Sequence, residues 1–248
     1  MIRVLLLAGT GEARRLSHRL VEIPGLELIT SLAGITAAEG YAGSVRRRGF
    51  GGAEGYRRAL TRAGIDAVLD ATHPFATRIT ARAWAEARAS GRRFLRLDRP
   101  AWTAAPGWRS FDNLADAVAA LPAGAVGFVA AGRSAAGLAA PAEARLILRM
   151  IEPPAQCSHK VILARPPFAL GHERALFADL GVTHLVCKNA GGAAGRAKLD
   201  AASALGLPVH MVRRPPPPAG LGPAHIVGSA AAAVVWVQRL AADEDADS

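Results

Sequence analysis

A glycine-bracketed turn near the start of the chain has the composition of an anion-binding site. The turn consists of Gly9, Thr10, Gly11 and Glu12. It follows an apolar run at residues 2–8 and precedes apolar residues at helical spacing, a pattern that predicts a buried strand, a tight turn and a helix. The first N–H groups of such a helix favour an anion. The dinucleotide-binding fingerprint has Gly or Ala where this chain has Arg14, so a nucleotide site and an ordinary strand-to-helix turn both stay open.

Polar residues also follow several later apolar runs. Thr72 and His73 come after a run at 67–69, and Pro74 suits the first turn of the next helix. Two further turns contain Gly132 and Arg133 after 125–130, and Lys188 and Asn189 after 184–187. Because open α/β sheets bind ligands at the carboxyl ends of their strands, these residues are candidate contacts. Capped loops on a solvated rim are the alternative interpretation.

The second predicted strand, residues 26–32, bears on the choice of cofactor. Enzymes selective for NAD carry an Asp or Glu at the end of this strand, where it bonds the ribose 2′-hydroxyl. Here the strand ends in Thr30, Ser31 and Leu32. The missing acid removes a repulsion toward a 2′-phosphate, and Ser31 can donate a hydrogen bond to one. If a nicotinamide cofactor binds, the sequence favours NADP.

The net charge of +10 comes almost entirely from arginine, because the chain has only three lysines. Guanidinium forks suit carboxylates and phosphates, which indicates a polyanionic ligand. Arg165 and Arg213 stand beside stiff prolines, although a solvated arginine surface also accounts for such residues. The basic residues are scattered, and no helix-turn-helix, zinc-finger or aromatic-basic RNA motif occurs. We therefore expect a small anionic partner and no nucleic acid.

Membrane and metal partners are not expected either. No apolar stretch approaches the ~20 residues of a membrane span, and the chain begins directly with a strand. The two cysteines, Cys157 and Cys187, lack metal-ligand spacing. The sequence thus predicts a cytoplasmic protein without a metal site, and we expect it to be a monomer.

Strands alternating with helices must position these residues. Further strands are expected at 94–97, 144–150, 161–164 and 208–212. Helices are expected from residue 10 and at 53–63, 75–87, 112–121, 170–180, 195–205 and 229–240. The segment 35–55 is predicted to be irregular, and 99–107 to cross between two halves. The alternation predicts an α/β fold with two parallel sheets, in a dinucleotide-binding domain at 1–98 and a second domain at 99–248, with a ligand cleft between them.

Eight short motifs extend this interpretation. They are, in chain order, LAGTGEAR (7–14), TSLAG (30–34), GFGG (49–52), DATHPFA (70–76), RPAW (99–102), KNAGG (188–192), KL (198–199) and LGLP (205–208). In content and order they resemble the precorrin-6A reductase family of cobalamin (vitamin B12) biosynthesis. The resemblance covers nearly the whole chain, and the DATHPFA and KNAGG turns are specific in combination.

The resemblance implies two Rossmann-like domains with NADPH between them, and reduction of one C=C bond of the precorrin-6A macrocycle to give precorrin-6B. On this basis Lys188 and His73 are the candidate catalytic residues, with bound water as another proton source. The residues expected to bind the cofactor are Gly9, Thr10, Gly11, Glu12, Ser31, Thr72, Gly132, Arg133 and Asn189. Those expected to bind the carboxylates of the tetrapyrrole are Arg14, Arg165 and Arg213. A cobalt-precorrin-6A reductase and a non-catalytic nucleotide-binding sensor are the alternatives.

The chain departs from the family pattern in two places. The family reads A-G-R where this chain has Ala33, Gly34 and Ile35, so one arginine expected near the 2′-phosphate is absent. Either an arginine at 46–48 compensates, or the preference for NADPH over NADH is weakened. The first glycine of the family's G-G-F-G-G is also replaced, by Arg48, which changes the expected geometry of that loop.

Overall fold

A computed structural model describes residues 1–32 and 40–246, with side chains up to residue 243. The departure at Ala33, Gly34 and Ile35 lies outside the described residues. The chain folds into two compact units. The first comprises Met1–Arg99 and the chain from Pro216 onward, and the second comprises Pro100–Pro215.

The first unit begins with alternating strands and helices. Its strands are β1 (Ile2–Leu7), β2 (Leu26–Ser31), β3 (Ser44–Arg46), β4 (Ala67–Asp70) and β5 (Arg93–Leu97). Its helices are α1 (Gly11–Leu20), α2 (Gly52–Arg62) and α3 (Thr77–Ala89). Helix α1 begins where the sequence predicts because Thr10 caps it, with Thr10 Oγ1 accepting a hydrogen bond from Ala13 N at 3.0 Å.

Strand β1 is apolar throughout because both faces of its sheet are covered. Val4 and Leu6 contribute to one apolar core, whereas Leu5 and Leu7 contribute to another. Since side chains alternate along a strand, these two cores lie on opposite faces of the sheet. A strand covered on both faces reads as a continuous apolar run, which is the pattern that predicts it.

The second unit repeats the alternation. Its strands are β6 (Trp108–Phe111), β7 (Val126–Ala130), β8 (Arg145–Met150), β9 (Lys160–Leu163), β10 (His184–Lys188) and β11 (Val209–Val212). Its helices are α4 (Leu114–Ala119), α5 (Leu170–Asp179) and α6 (Ala197–Ala204), with one turn of 3-10 helix at Gly132–Ala135. The strands pair in parallel in the order β6-β11-β10-β7-β8-β9.

After the second unit the chain returns to the first. Strand β12 (Ile226–Val227) pairs in parallel with β5, and helix α7 (Ala230–Ala246) packs on α1. The first sheet thus has the order β3-β2-β1-β4-β5-β12. Residues from 216 onward therefore belong to the first unit, and the assignment of all of 99–248 to one second domain is wrong. The physical reason is that α7 supplies Val234 and Val237 to the core that covers β1.

The α/β class and the two parallel sheets expected from the sequence are confirmed. The strands and helices predicted from apolar patterns are present, with small shifts at their ends. Strands β3, β6 and β12 are not predicted from the sequence, and all three lie at sheet edges. Short edge strands pair on one side only, so neither length nor apolar periodicity marks them. Within residues 1–32 and 40–246, none of the helices is long and apolar enough to cross a membrane.

Replacing Val237 with Ala tests the return of the chain to the first unit. Val237 is fully buried in α7, whereas Val235 of the same helix is 44% exposed. We expect Val237→Ala to lower the free energy of unfolding by about 1–3 kcal/mol, because it leaves a cavity in the core. The matched Val235→Ala change should alter it by less than about 0.5 kcal/mol. Urea unfolding followed by circular dichroism measures both, and equal losses would contradict the packing of α7.

Candidate active site

In both sheets the strand order reverses beside a central strand, and many of the predicted site residues follow the strands at these reversals. The reversal lies between β1 and β4 in the first sheet and between β7 and β10 in the second. At such a switch point a crevice opens at the carboxyl ends of the strands, where α/β proteins bind ligands. We call residues 8–12 and 71–73 the first edge, and residues 131–134 and 188–192 the second edge.

Thr10 joins the two strand ends at the first edge. Its Oγ1 donates a hydrogen bond to Ala71 O at 3.1 Å, across 61 residues of sequence. Its own carbonyl accepts one from Tyr41 OH at 3.1 Å. Gly9 has a φ of +126°, and apart from Gly9 and its chain neighbours no atom of the described residues lies within 4 Å of the position that a Cβ would take. A ligand can therefore approach this backbone closely, next to the N-terminus of α1.

Glu12, in the first turn of α1, forms an ion pair with Arg99. Arg99 Nη1 donates to Glu12 Oε2 at 3.0 Å, and the two side chains are only 15% and 23% exposed. The pair holds Arg99, the last residue of the stretch Met1–Arg99, against the first turn of α1. The contact of Glu12 with a cofactor stays a prediction, and it would be made by a carboxylate that already has a cationic partner.

A buried carboxylate organises the residues behind the first edge. Asp70 Oδ1 accepts hydrogen bonds from the backbone N and the Oγ1 of Thr72, at 3.0 and 2.6 Å. Asp70 Oδ2 accepts from Thr80 Oγ1 at 2.7 Å and from Arg96 Nη1 at 2.6 Å. Asp70 is fully buried, so these four bonds replace its hydration. The hydroxyl proton of Thr72 is committed to Asp70, and Thr72 Oγ1 can only accept a hydrogen bond from a ligand.

His73 is held by the turn that leads into α3. Its Nδ1 accepts a hydrogen bond from Phe75 N at 3.2 Å, and the two ring centroids are 5.7 Å apart. This bond assigns the proton of the neutral imidazole to Nε2.

Ser31 stands at the end of β2, beside the first edge. It is 3% exposed and lies in register with Leu7 on β1 and with Arg46 on β3. The residue predicted to contact a 2′-phosphate is therefore on the strand next to the glycine turn. Dinucleotide-binding folds read the adenosine ribose at this point.

Lys188 links the two strand ends at the second edge. Its Nζ donates a hydrogen bond to Ser134 Oγ at 2.6 Å, across 54 residues of sequence, and Ser134 Oγ donates to Ala131 O at 2.8 Å. Burial lowers the pKa of Lys188, which makes its ammonium a stronger acid. Gly132 has a φ of +65°, and beyond its chain neighbours no described residue has an atom within 4 Å of its Cβ position. Arg133 beside it is exposed.

Asn189 holds the segment that enters the second unit. Its Oδ1 accepts from Trp102 N at 2.8 Å, and its Nδ2 donates to Trp102 O at 3.0 Å. Trp102 Nε1 donates in turn to Gly192 O at 3.0 Å. A Cβ on Gly191 would lie 2.2 Å from Pro100 O, so this glycine makes room for backbone of the same unit. Gly191 therefore has a packing role, while a cofactor contact of Asn189 stays a prediction.

The three arginines predicted to bind substrate are exposed and lie at the ends of elements. Arg14 is in the first turn of α1. Arg165 follows β9, 3.8 Å from a carboxylate oxygen of Glu152, and Arg213 follows β11 and donates to Asp112 Oδ1 at 3.0 and 2.5 Å. Exposed ion pairs contribute little to stability, so Arg165 and Arg213 can exchange these carboxylates for those of a ligand.

The structure thus brings predicted residues together in two groups, one at each edge. The cleft expected between the two halves stays a prediction. Sequence reasoning assigned no role to Asp70, Arg96 or Ser134. One sequence feature could have indicated the buried pair: Arg96 lies inside the apolar strand β5. A charged side chain that is buried in a strand requires a buried partner of opposite charge.

The chemistry of both edges fits a dinucleotide. The open glycine backbones and the N-terminus of α1 suit phosphates, and the cationic Arg133 and Lys188 stand at the second edge. Among the residues that the structure describes, no cluster of three His, Cys, Asp or Glu side chains is arranged to hold a metal ion.

Comparison with known proteins places these features in a family. The profile of the family described as precorrin-6x reductase CbiJ/CobK matches residues 3–238. A precorrin-6A reductase from Rhodococcus erythropolis is 43% identical over 249 residues, which cover 97% of this chain and 99% of that protein. A cobalt-precorrin-6A reductase from Methanothermobacter thermautotrophicus is 29% identical over 230 residues, covering 86% of this chain and 76% of that protein.

A solved structure of the CobK precorrin-6A reductase has the same fold. It matches with a TM-score of 0.82 and 37% sequence identity, and the match covers 96% of both chains. The similarity therefore extends over the elements of both units, including the strands that form the two edges.

Asp70→Asn tests the buried network behind the first edge. The change leaves the buried Arg96 without its anionic partner, and we expect the free energy of unfolding to fall by about 3–5 kcal/mol. Glu54→Gln is the matched control, because it breaks a carboxylate–arginine pair with Arg58 whose side chains are 77% and 68% exposed. That variant should lose no more than about 0.5 kcal/mol. Chemical denaturation measures both, and a loss below about 1 kcal/mol for Asp70→Asn would show that the network is not structurally important.

The reactivity of Lys188 tests its environment. Only a neutral amine is acylated, so the pH dependence of acylation reports the pKa of each lysine. We expect the midpoint for Lys188 to lie at lower pH in the native protein than in the chain unfolded by urea, because burial disfavours the ammonium. Peptide mass spectrometry after pulse labelling gives both midpoints, and a native midpoint at or above the unfolded one would contradict the buried setting.

Proposed function

The chain belongs to the precorrin-6x reductase CbiJ/CobK family, and we propose that it reduces one carbon–carbon double bond of precorrin-6A with NADPH to give precorrin-6B. The observation that carries the proposal is the family match over residues 3–238, which includes both edges. Membership of a reductase family implies a nicotinamide cofactor as the source of hydride. The use of NADPH in preference to NADH is the finer part of the proposal.

The first edge offers the groups that a dinucleotide needs. We assign to the cofactor Gly9, Thr10, Gly11, Glu12, Ser31 and Thr72, together with Gly132, Arg133 and Asn189 from the second edge. The open backbone at Gly9 and the start of α1 would hold phosphate. Thr72 Oγ1, whose proton is bound to Asp70, would accept a hydrogen bond from a ribose hydroxyl or an amide.

When bound, the nicotinamide supplies the hydride that one carbon of the double bond accepts. The neighbouring carbon takes a proton, and Lys188 is our first candidate donor. Its ammonium is oriented by Ser134, and burial lowers its pKa so that it releases a proton more readily. His73 and a bound water are the other candidates. After turnover, the donor regains its proton from solvent.

The substrate is a macrocycle with several acetate and propionate groups, so its recognition requires cations. We assign this role to Arg14, Arg165 and Arg213, whose exposed guanidinium groups can form two-pronged hydrogen bonds with carboxylates. The net charge of +10 would also attract such a polyanion at long range.

A cobalt-containing macrocycle is the second candidate substrate. The relative named for that substrate is the less similar of the two relatives described above, which favours metal-free precorrin-6A. Offering both macrocycles to the enzyme in separate assays distinguishes them by the ratio of their kcat/KM values.

Lys188→Ala tests the assigned proton donor. We expect kcat to fall by about 10²-fold or more, the typical contribution of a positioned general acid, while the melting temperature changes little. Loss of nicotinamide absorbance on mixing NADPH with precorrin-6A measures turnover. The control is Lys160→Ala, which removes an exposed lysine outside both edges and should leave kcat near the wild-type value.

Two results of that assay would overturn parts of the proposal. Wild-type turnover in Lys188→Ala would remove Lys188 from the reaction without affecting the reductase assignment. A wild-type protein that binds NADPH but consumes none with either macrocycle would instead support a non-catalytic nucleotide sensor.

A further inference from the structure

We propose that Arg46 is the residue that recognises the 2′-phosphate of the cofactor, and that it does so together with Ser31. The inference rests on the proposed use of NADPH and deepens it by assigning cofactor specificity to one guanidinium. Three features of the first unit support it: the register of β2 and β3, the partners of Arg46 and the loop that follows Arg46.

The register of the first sheet brings Arg46 and Ser31 side by side. Arg46 is the last residue of β3 and pairs in register with Ser31, the last residue of β2. Leu32 N donates to Arg46 O at 2.9 Å, which fixes the two strand ends at the same level. Side chains in register on neighbouring parallel strands leave the sheet on the same face, with strands about 4.8 Å apart. The side chains of Ser31 and Arg46 therefore start from neighbouring backbone positions, at the strand end where this fold binds the adenosine ribose.

The guanidinium of Arg46 is held in one orientation. Its Cζ lies 4.6 Å from the centroid of the Phe50 ring, and its Nη2 donates to Gly49 O at 3.3 Å. Phe50 is itself fixed, because its ring lies 4.6 Å from that of the fully buried Tyr56. A guanidinium stacked on an anchored ring loses little conformational freedom when it binds an anion.

Among the residues whose side chains the structure describes, 1–32 and 40–243, Arg46 has no anionic partner. Its Nε is buried and makes no hydrogen bond to any described residue, and no carboxylate of those residues forms an ion pair with it. By contrast, Arg57 and Arg96 in the same unit pair with Glu86 and Asp70. A buried donor without an acceptor is costly. A phosphate would accept a hydrogen bond from the Nε of Arg46 and would balance the charge of its guanidinium.

The loop after Arg46 leaves space for such a phosphate. Apart from each glycine and its chain neighbours, no atom of the described part of the chain lies within 4 Å of a Cβ position at Gly49, Gly51 or Gly52. Gly51 and Gly52 have φ values of +70° and +94°. Backbone at these residues is therefore open to a ligand. The adjacent Arg47 and Arg48 are exposed, so they add attraction at a distance without a fixed geometry.

Calorimetric titration with 2′,5′-ADP and with 5′-AMP tests the inference without relying on turnover. We expect Arg46→Ala to weaken binding of 2′,5′-ADP by about 10–100-fold, the value of a charge-assisted hydrogen bond, and binding of 5′-AMP by less than about 2-fold. Arg46→Lys should fall between wild type and Arg46→Ala, because it keeps the charge and loses the fork. Arg47→Ala is the matched comparison, and we expect it to weaken 2′,5′-ADP by less than about 3-fold.

The outcomes separate this inference from the function on which it rests. Wild-type affinity for 2′,5′-ADP in Arg46→Ala, an equal loss for both nucleotides, or an equal effect of Arg47→Ala would each overturn the role of Arg46. Thermal unfolding of each variant identifies a folding defect, and Arg46→Lys, which retains the aliphatic stem over Phe50, then decides the question. A wild-type chain that binds neither NADPH nor NADH would overturn the proposed function itself.

Discussion

Parallel pairing of neighbouring strands is the constraint on which this arrangement depends. It brings the carboxyl ends of all strands in a sheet to one edge, so that Leu7 of β1 lies in register with Asp70 of β4. The strand order reverses at this point, and again between β10 and β7 in the second sheet. Turns that are distant in sequence thereby become neighbours, and single hydrogen bonds from Thr10 and Lys188 join them.

Buried arginine–carboxylate pairs lie in the interior of both units. Arg96 pairs with Asp70 in the first unit, and in the second Arg149 donates to both oxygens of Glu173 at 2.7 and 2.8 Å. Breaking such a pair is costly because it leaves one charge buried without compensation. Part of the arginine content is therefore committed to the interior. Exposed arginines with weak partners, such as Arg165, are available to a polyanionic ligand.

The residues of the loop at 188–192 have two kinds of role: some hold the loop in place, and Lys188 is our candidate proton donor. Asn189 and Gly191 fasten the loop to the segment that enters the second unit, through paired hydrogen bonds and a close backbone approach. Lys188 faces Ser134 at the strand ends instead. The fastening residues fix the loop, and a fixed loop positions the ammonium that we assign to proton transfer.

The sequence by itself determined the α/β class, the long strands and helices, the glycine turn before α1 and the polar turns at the strand ends. Each of these follows from local pattern, because apolar runs, helical spacing and turn residues act over a few positions. Only the tertiary structure decided that the chain beyond residue 215 returns to the first unit, that Asp70 binds Arg96, and that Arg46 lies beside Ser31. These depend on strand order and register, which join residues far apart in the chain and leave no periodic signal at short edge strands such as β3 and β12.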